Sequence, residues 1–300
     1  MKLIKPSFEI LEQKPRLDGL LQHIERCGRT CYKSEDKITK ESAPKFVDML
    51  VKRGHTAMVE HGTVYLTLNM ASRQEYFKYC TNKYSEAISE GEAEKGTWAG
   101  YVTTNYRVLL QNNWMEDLQY LTEPTKHIRR ITVKFVCDRG VSHEFVRHRV
   151  FSFAQESTRY CNYSKDKFGG DCTFIIPSWI DSNDFEIPRT LRWGEHLTYE
   201  VERITGDPNN APLSVYLQSL LQAEEAYMEL LKEGWIAQQA RAVLPNSLKT
   251  ELIMTGTIEQ WEGFFKLRCA KDAHPQAREL AVPLYEEFVK RGYVTASISG

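Results

Sequence analysis

At 300 residues the chain can bury one large core or two modest ones. Lysine and arginine number 39 against 40 acidic residues, a net charge of -1, which excludes a globally basic nucleic-acid binder. No apolar run reaches 18 residues and the first residues lack a signal-length apolar core, so neither a membrane span nor secretion by that route is expected.

Residues 7–12 read as a short strand, and Leu17 to Ile24 as a helix stopping near Gly28. Arg29 to Ser34 has no period and reads as a polar turn. Glu41 to Arg53 carries Ala43, Phe46, Val47, Leu50 and Val51 on one stripe and is closed by Gly54, an amphipathic helix. Thr63 to Leu68, rich in β-branched and aromatic residues, reads as a strand. Residues 71–126 are the least regular; Tyr106, Leu109, Leu110, Trp114, Leu118 and Leu121 form a stripe that predicts a helix over Tyr101 to Leu121. Ile131, Val133, Phe135 and Cys137 alternate with polar neighbours, as a half-buried strand requires.

Thr173 to Pro177 is a strand with a hard stop, and Thr205 to Asn210 a turn-rich linker. Leu213 to Leu231 repeats at three and four between Pro212 and Gly234, the clearest helix of the chain. Leu248 to Gly256 reads as a strand closed by its glycine. Glu259 to Cys269 is helical, with Trp261, Phe264, Phe265 and Leu267 expected inside, and Pro275 to Arg291 is a final amphipathic helix. Seven cysteines, odd in number and without a Cys-x-x-Cys pair, fit a reducing, cytoplasmic setting. Cys27 and Cys31 lack the partners of a zinc site, and no metal is expected.

The chemistry concentrates between Ser142 and Tyr160. Asp138-Arg139-Gly140 breaks the preceding strand, and Ser142 is a fair N-cap for a helix from about 142 to 151. On that helix Glu144, Arg147, His148 and Phe151 share a side, while Arg147 and Arg149 point apart. A solvated face with intrahelical pairs is one reading. The other follows from Phe145, Val146, Val150, Phe151 and Phe153 around the charges: groups in such a setting are paired or face a polyanionic ligand. The rings of Phe151, Phe153, Tyr160 and Tyr163 read either as core or as stacking surfaces.

This stretch resembles the signature of the flavin-dependent thymidylate synthases: Arg147-His148-Arg149, seven residues, Ser157, then Arg159-Tyr160. His55 and Glu60-His61 are similar to that family's Gly-His and Glu-His segment, and Arg29 to Ser34 to its N-terminal loop. Ala240 to Pro245 resembles its second arginine block and Leu267-Arg268 its third, all in family order. The resemblance implies an α+β fold, a mixed α/β single domain over 1–291 with a central antiparallel-rich sheet flanked by helices. It makes 71–126 an insertion and 292–300 a loose tail. It further implies a homotetramer with shared active sites, and conversion of dUMP to dTMP with FAD, 5,10-methylenetetrahydrofolate and NADPH, without a covalent enzyme nucleophile.

Residue by residue, the resemblance places Glu144, Arg147, Gln155, Ser157, Thr158, Arg159, Arg241 and Arg268 at the nucleotide. Arg268, Arg147 and Ser157 form its catalytic set, with Arg268 against the uracil, where positive charge stabilises negative charge developing on the ring. His55, Arg147, His148, Arg149, Thr257 and Gly263 fall to the cofactor. Gln155 stands where some members carry Glu, and Glu144 where some carry Gln. The block after Gly256 departs further, because Glu259 replaces an expected arginine beside the flavin diphosphate. Either other cations hold those phosphates, from 71–126 or from Lys126, Arg129 and Arg130, or flavin is used differently. Three readings stay open: an active thymidylate synthase, a flavoenzyme of the same fold acting at C5 of another pyrimidine nucleotide, and a nucleotide-binding protein that has lost flavin chemistry.

Overall fold

The computed structural model of the chain describes residues 1–165, 169–180, 189–191 and 211–296. In order these form β1 (Lys2–Ile4), β2 (Ser7–Leu11), α1 (Arg16–Tyr32), α2 (Ser42–Lys52), β3 (Thr63–Leu68), α3 (Arg73–Cys80), β4 (Glu86–Glu90), β5 (Ala99–Asn105) and α4 (Tyr106–Asn112). Then follow β6 (Arg130–Asp138), α5 (Arg139–Phe145), β7 (Ser152–Gln155), β8 (Thr173–Ile175), β9 (Arg189–Thr190), α6 (Ala211–Lys232), α7 (Ala237–Ala240), β10 (Lys249–Thr257), α8 (Ile258–Arg268) and α9 (Pro275–Lys290).

The central sheet is antiparallel throughout, in the order β2-β6-β10-β7. Period-two alternation sends Ile131, Val133, Phe135 and Cys137 of β6, with Leu252 and Met254 of β10, to one face. There α8 and α9 cover them with Trp261, Phe264, Phe265 and Phe288. The opposite face, through Ile253 and Ala154, meets Cys27 of α1. A second sheet, β3-β5-β4, carries its own core with α1 and α2, and a third, β8-β1-β9, is covered by α6. The fold class is thus mixed α and β around an antiparallel sheet.

Several boundaries differ from expectation for identifiable reasons. Helix α1 does not stop near Gly28 and runs through the expected turn to Tyr32, capped by Lys33 at φ 47. Gly28 is there for closeness: a Cβ would lie 2.8 Å from the Phe46 ring of α2. The helix expected over Tyr101 to Leu121 is strand β5 up to Asn105, and only then helix. Val102, Thr103 and Thr104 are half of a ladder with β3, and Asn105 caps α4 by accepting from Val108 N at 3.2 Å. Strand β10 continues through Gly256, where the missing Cβ lets the Phe151 ring lie against the strand; a Cβ would meet that ring at 2.5 Å. Leu267, expected inside, is 61% exposed, because Trp261, Phe264 and Phe265 already fill the inward face of α8. Of the tail, Tyr293 packs on Phe288 at 5.4 Å and Val294 is buried, while 297–300 lie outside the described residues, as does the expected linker at Thr205 to Asn210.

A buried polar row crosses the sheet face toward α1. His23 Nε2 lies 3.0 Å from Thr132 Oγ1, which lies 2.8 Å from Thr255 Oγ1, itself 2.7 Å from His61 Nδ1. Burial lowers both imidazoles to about 3, and Arg130 pushes both the same way. Below pH 6.5 the unfolded chain takes up protons at these histidines that the native state refuses. Stability should therefore fall as pH drops from about 6.5 toward 3, and chemical-denaturation midpoints at pH 7.5, 5.5 and 4.5 should decrease in that order, less steeply in His61→Gln. Gly256→Ala should cost about 1–3 kcal/mol by overpacking against Phe151, measurable in the same assay.

Candidate active site

The turn after β6 builds the site. Asp138, rather than Ser142, caps α5: its Oδ1 accepts from Val141 N at 2.6 Å, and its Oδ2 accepts from Gln276 Nε2 at 2.6 Å. The expected helix to 151 ends at Phe145, and 146–151 continue as tight turns, with His148 N donating to Phe145 O and Phe151 N to His148 O, both at 3.1 Å. Phe145 and Phe151 anchor this run in the aromatic core, against Phe264 at 5.0 Å and Trp261 at 4.7 Å. Arg147, Arg149 and Val150 are left outside, and neither arginine has a side-chain ion pair among the described residues.

Three groups of polar side chains result. In the first, Arg268 at the end of α8 donates to Glu144 Oε2 at 2.5 Å, to the Glu144 carbonyl at 2.7 Å and, through Nε, to His148 Nε2 at 3.0 Å. An imidazole nitrogen that accepts from a guanidinium cannot itself carry a proton. Burial, reinforced by Arg268, accordingly lowers the pKa of His148 to about 4. The set is a guanidinium held in a fixed plane by a carboxylate and a neutral histidine.

In the second group the loop after β7 is held from several sides. Gln155 donates to Ser142 Oγ at 2.9 Å, Ser157 N donates to the Cys31 carbonyl at 3.2 Å, and Arg241 donates to Thr158 Oγ1 at 2.9 Å. Ser157 Oγ accepts from Arg159 N at 3.3 Å, leaving the exposed Arg159 guanidinium near the Tyr160 ring. Tyr160, 56% exposed, lies against Tyr32, whose hydroxyl meets His55 Nδ1 at 2.5 Å. His55 thus stands beside the Ser157 loop. Of the four motif rings, Phe151 and Tyr163 are core, Phe153 is partly buried and Tyr160 is open.

Beneath that loop lies a charged cluster that motif reading missed. Glu156 is only 2% exposed; its carboxylate accepts from Lys249 at 2.7 Å, and Lys249 also donates to Glu251 at 2.8 Å. Lys33 and Lys134 complete the pairing on Glu251. Burial opposes the Glu251 charge, but Lys249, Lys33 and Lys134 outweigh it and hold the carboxyl well below its usual range. The signal was present as Lys249 and Glu251, two apart on one face of an otherwise uncharged strand.

The third group lines a cavity of about 480 Å³ between β5, α4 and the start of β7. Arg149, Thr257, Ser152 and Gln260 meet Arg130, Glu60, Arg107 and Lys83 on its wall. Arg107 pairs with Glu60, yet its Nε is buried without a hydrogen-bond partner among the described residues. Arg130 gives its guanidinium to neutral oxygens: the Glu60 carbonyl at 3.1 Å, Thr63 Oγ1 at 3.3 Å and Ser152 Oγ at 3.1 Å. Glu259 and Gly263, both exposed on α8, take no part in the wall. Lys126 pairs with Glu90 outside it, and Arg129 lies over the Tyr293 ring. Arg29, on α1, pairs with Glu25 at 2.8 Å and covers the Phe46 ring.

The sequence matches a family model described as thymidylate synthase complementing protein over residues 80–291. The chain belongs to that family. The matched region begins inside the 71–126 segment rather than after it. A flavin-dependent thymidylate synthase of Corynebacterium glutamicum is 31% identical over 274 residues, which cover 91% of this chain and 76% of the relative. That of Mycobacterium avium is 27% identical over 148 residues, 48% of this chain and 51% of the relative. The match spans about half the length of this and several other curated relatives. A crystal structure of a UMP/dUMP methylase PolB from Streptomyces cacaoi, bound with 5-Br dUMP, covers 97% of this chain and 93% of its own at 17% identity and TM-score 0.43, too loose a likeness to bear on the fold or the chemistry.

No cysteine of the site is poised as a thiolate: burial pushes Cys31 up to about 11, and Cys27 and Cys137 higher still. The His148 midpoint provides a direct check of the first group. An imidazole proton titration should show His148 neutral at pH 7 with a midpoint near 4, and Arg268→Ala should move that midpoint upward. An unchanged midpoint would mean that burial alone sets it.

Proposed function

We propose that this protein is a flavin-dependent thymidylate synthase, transferring a one-carbon unit from 5,10-methylenetetrahydrofolate to C5 of dUMP, with reducing equivalents from NADPH through FAD. The observation that carries the reading is the contact of Arg241 with Thr158, at 2.9 Å, which brings the second arginine block onto the Ser157–Arg159 loop. Family membership supports it. In this reading residues 1–291 act as one catalytic domain in the cytoplasm. Four copies share their sites, with the exposed Arg147, Arg149, Val150 and Leu267 on the meeting surface.

In this reading the site residues take the roles that the resemblance implies. Ser157, Thr158, Arg159 and Arg241 hold the nucleotide phosphate: hydroxyl donors and two guanidinium forks match a dianion. Gln155 and Glu144 border the same nucleotide. Arg268, oriented by Glu144 and the neutral His148, faces the uracil and stabilises negative charge developing on the ring. Because His148 accepts from Arg268 rather than adding a second positive charge, the guanidinium is held in place by a neutral group on one side and by the Glu144 carboxylate, which offsets part of its field, on the other. Arg147 lies between nucleotide and cofactor, and His55, Arg149, Thr257 and Gly263 belong to the cofactor side. The donors present fit a flavin dinucleotide, since the cavity holds a surplus of cations and the orphaned Arg107 Nε. A bound flavin supplies the reducing chemistry, and the protein supplies position and field.

The test is a tritium-release and product-mass assay with 5-³H-dUMP, methylenetetrahydrofolate, FAD and NADPH under anaerobic conditions. The expected result is dTMP, falling on the order of 10²–10³-fold in kcat in Arg268→Ala. Tritium release with a product of another mass would point to a different change at C5. Bound nucleotide with no turnover would sink the proposal.

A further inference from the structure

We infer that the cavity between β5, α4 and β7 is the diphosphate subsite for a bound dinucleotide, held by Arg107, Arg130, Arg149 and Lys83; the assignment to FAD rests on the reading above. Four cations line the cavity against two carboxylates, Glu60 and Glu86, a surplus of two positive charges. Glu60 is already committed to Arg107. Among the described residues the guanidinium of Arg130 is hydrogen-bonded only to neutral oxygens, and Arg149 carries no ion pair. Clustered cations without matching anions repel one another; water screens Lys83 and Arg149 at the exposed rim, and Arg130 and Arg107, set further back, less well. The arrangement is stable with an anion of about two charges, which is what a diphosphate brings.

Arg107 adds an independent sign. Its Nη1 serves Glu60, while its Nε, a buried donor of fixed direction, has no hydrogen-bond partner among the described residues. A buried donor left unmade costs about 1–3 kcal/mol, a penalty that an incoming phosphate oxygen removes. The volume of about 480 Å³ suits part of a dinucleotide rather than all of it. At the rim, Tyr84 is 62% exposed with Lys83 Nζ 4.7 Å from its ring centre, an aromatic surface next to the cations. Lys83 and Arg107 both come from 71–126. Glu259 is outside the wall, so its negative charge does not oppose a ligand there.

The experiment uses the full chain, wild type, Lys83→Ala, and Lys83→Ala with Arg107→Gln. Equilibrium binding of FAD, riboflavin, NADPH and dUMP is measured by fluorescence and calorimetry, alongside thermal melting. Lys83→Ala leaves an exposed position and should melt like wild type. Each lost charge-assisted contact should weaken FAD about tenfold. Riboflavin, which has no phosphate, and dUMP should bind every variant as they bind wild type. FAD affinity unchanged in both variants overturns the inference while leaving the thymidylate synthase reading intact. Loss confined to NADPH moves the subsite to the nicotinamide dinucleotide and overturns the flavin assignment. A wild-type protein that binds dUMP but neither dinucleotide overturns both the inference and the flavin-dependent reading.

Discussion

The pairing of β6 with β10 is the constraint on which the remaining structure depends. It runs in unbroken register from Lys249 opposite Asp138 to Thr257 opposite Arg130. One end of the ladder delivers Asp138, which caps α5 and so launches the Arg-His-Arg turn. The other end sets Arg130 and Thr257 side by side on the wall of the cavity. On its apolar face the ladder supports a continuous aromatic contact set, Phe135, Phe145, Phe151, Trp261 and Phe264, with ring centres 4.7 to 6.4 Å apart. Because Phe145 and Phe151 bracket 146–150, packing in the core dictates where the exposed arginines stand.

Charge burial has an equally specific consequence. Glu156 lies between two residues assigned to the nucleotide, yet its own carboxylate points inward to Lys249. Removing either partner would leave an uncompensated charge in the interior, which is far costlier than replacing both. The Gln155–Ser157 backbone is thereby tied to β10 through a side chain as well as through Glu156 N on the Glu251 carbonyl at 2.8 Å. A loop anchored in this way loses little conformational entropy when it meets a ligand. Gln155 makes neutral contacts with Ser142 and Thr250, while the adjacent acid, Glu156, is neutralised below by Lys249.

What local periodicity encodes is legible in the sequence. The alternation at Ile131 to Cys137, the three-and-four repeat of Leu213 to Leu231 and the glycine after α2 each depend on residues within a few positions of one another. The Arg-His-Arg spacing and the ordered blocks carried the family for a similar reason, because they are patterns along the chain. Errors came where a neighbour distant in sequence decides. Gly28 looked like a stop and is a close approach to Phe46; Gly256 looked like a strand end and is a seat for Phe151. Tyr101 to Asn105 lies ahead of the stripe that begins at Tyr106; its Val and Thr residues suit a strand, and β3, distant in sequence, offers the ladder.

The sequence alone therefore determined strands β6 and β10, helices α2, α6, α8 and α9, and which residue types were set aside for chemistry; the antiparallel sheet was legible only through the family resemblance. Only the tertiary structure decided their partners. Arg268 meets Glu144 across 124 residues, Arg241 meets Thr158 across 83, and Arg107 meets Glu60 across 47. Such pairings leave no periodic trace, because a charge is satisfied by whatever group the packed core brings within about 3 Å, not by its neighbours along the chain.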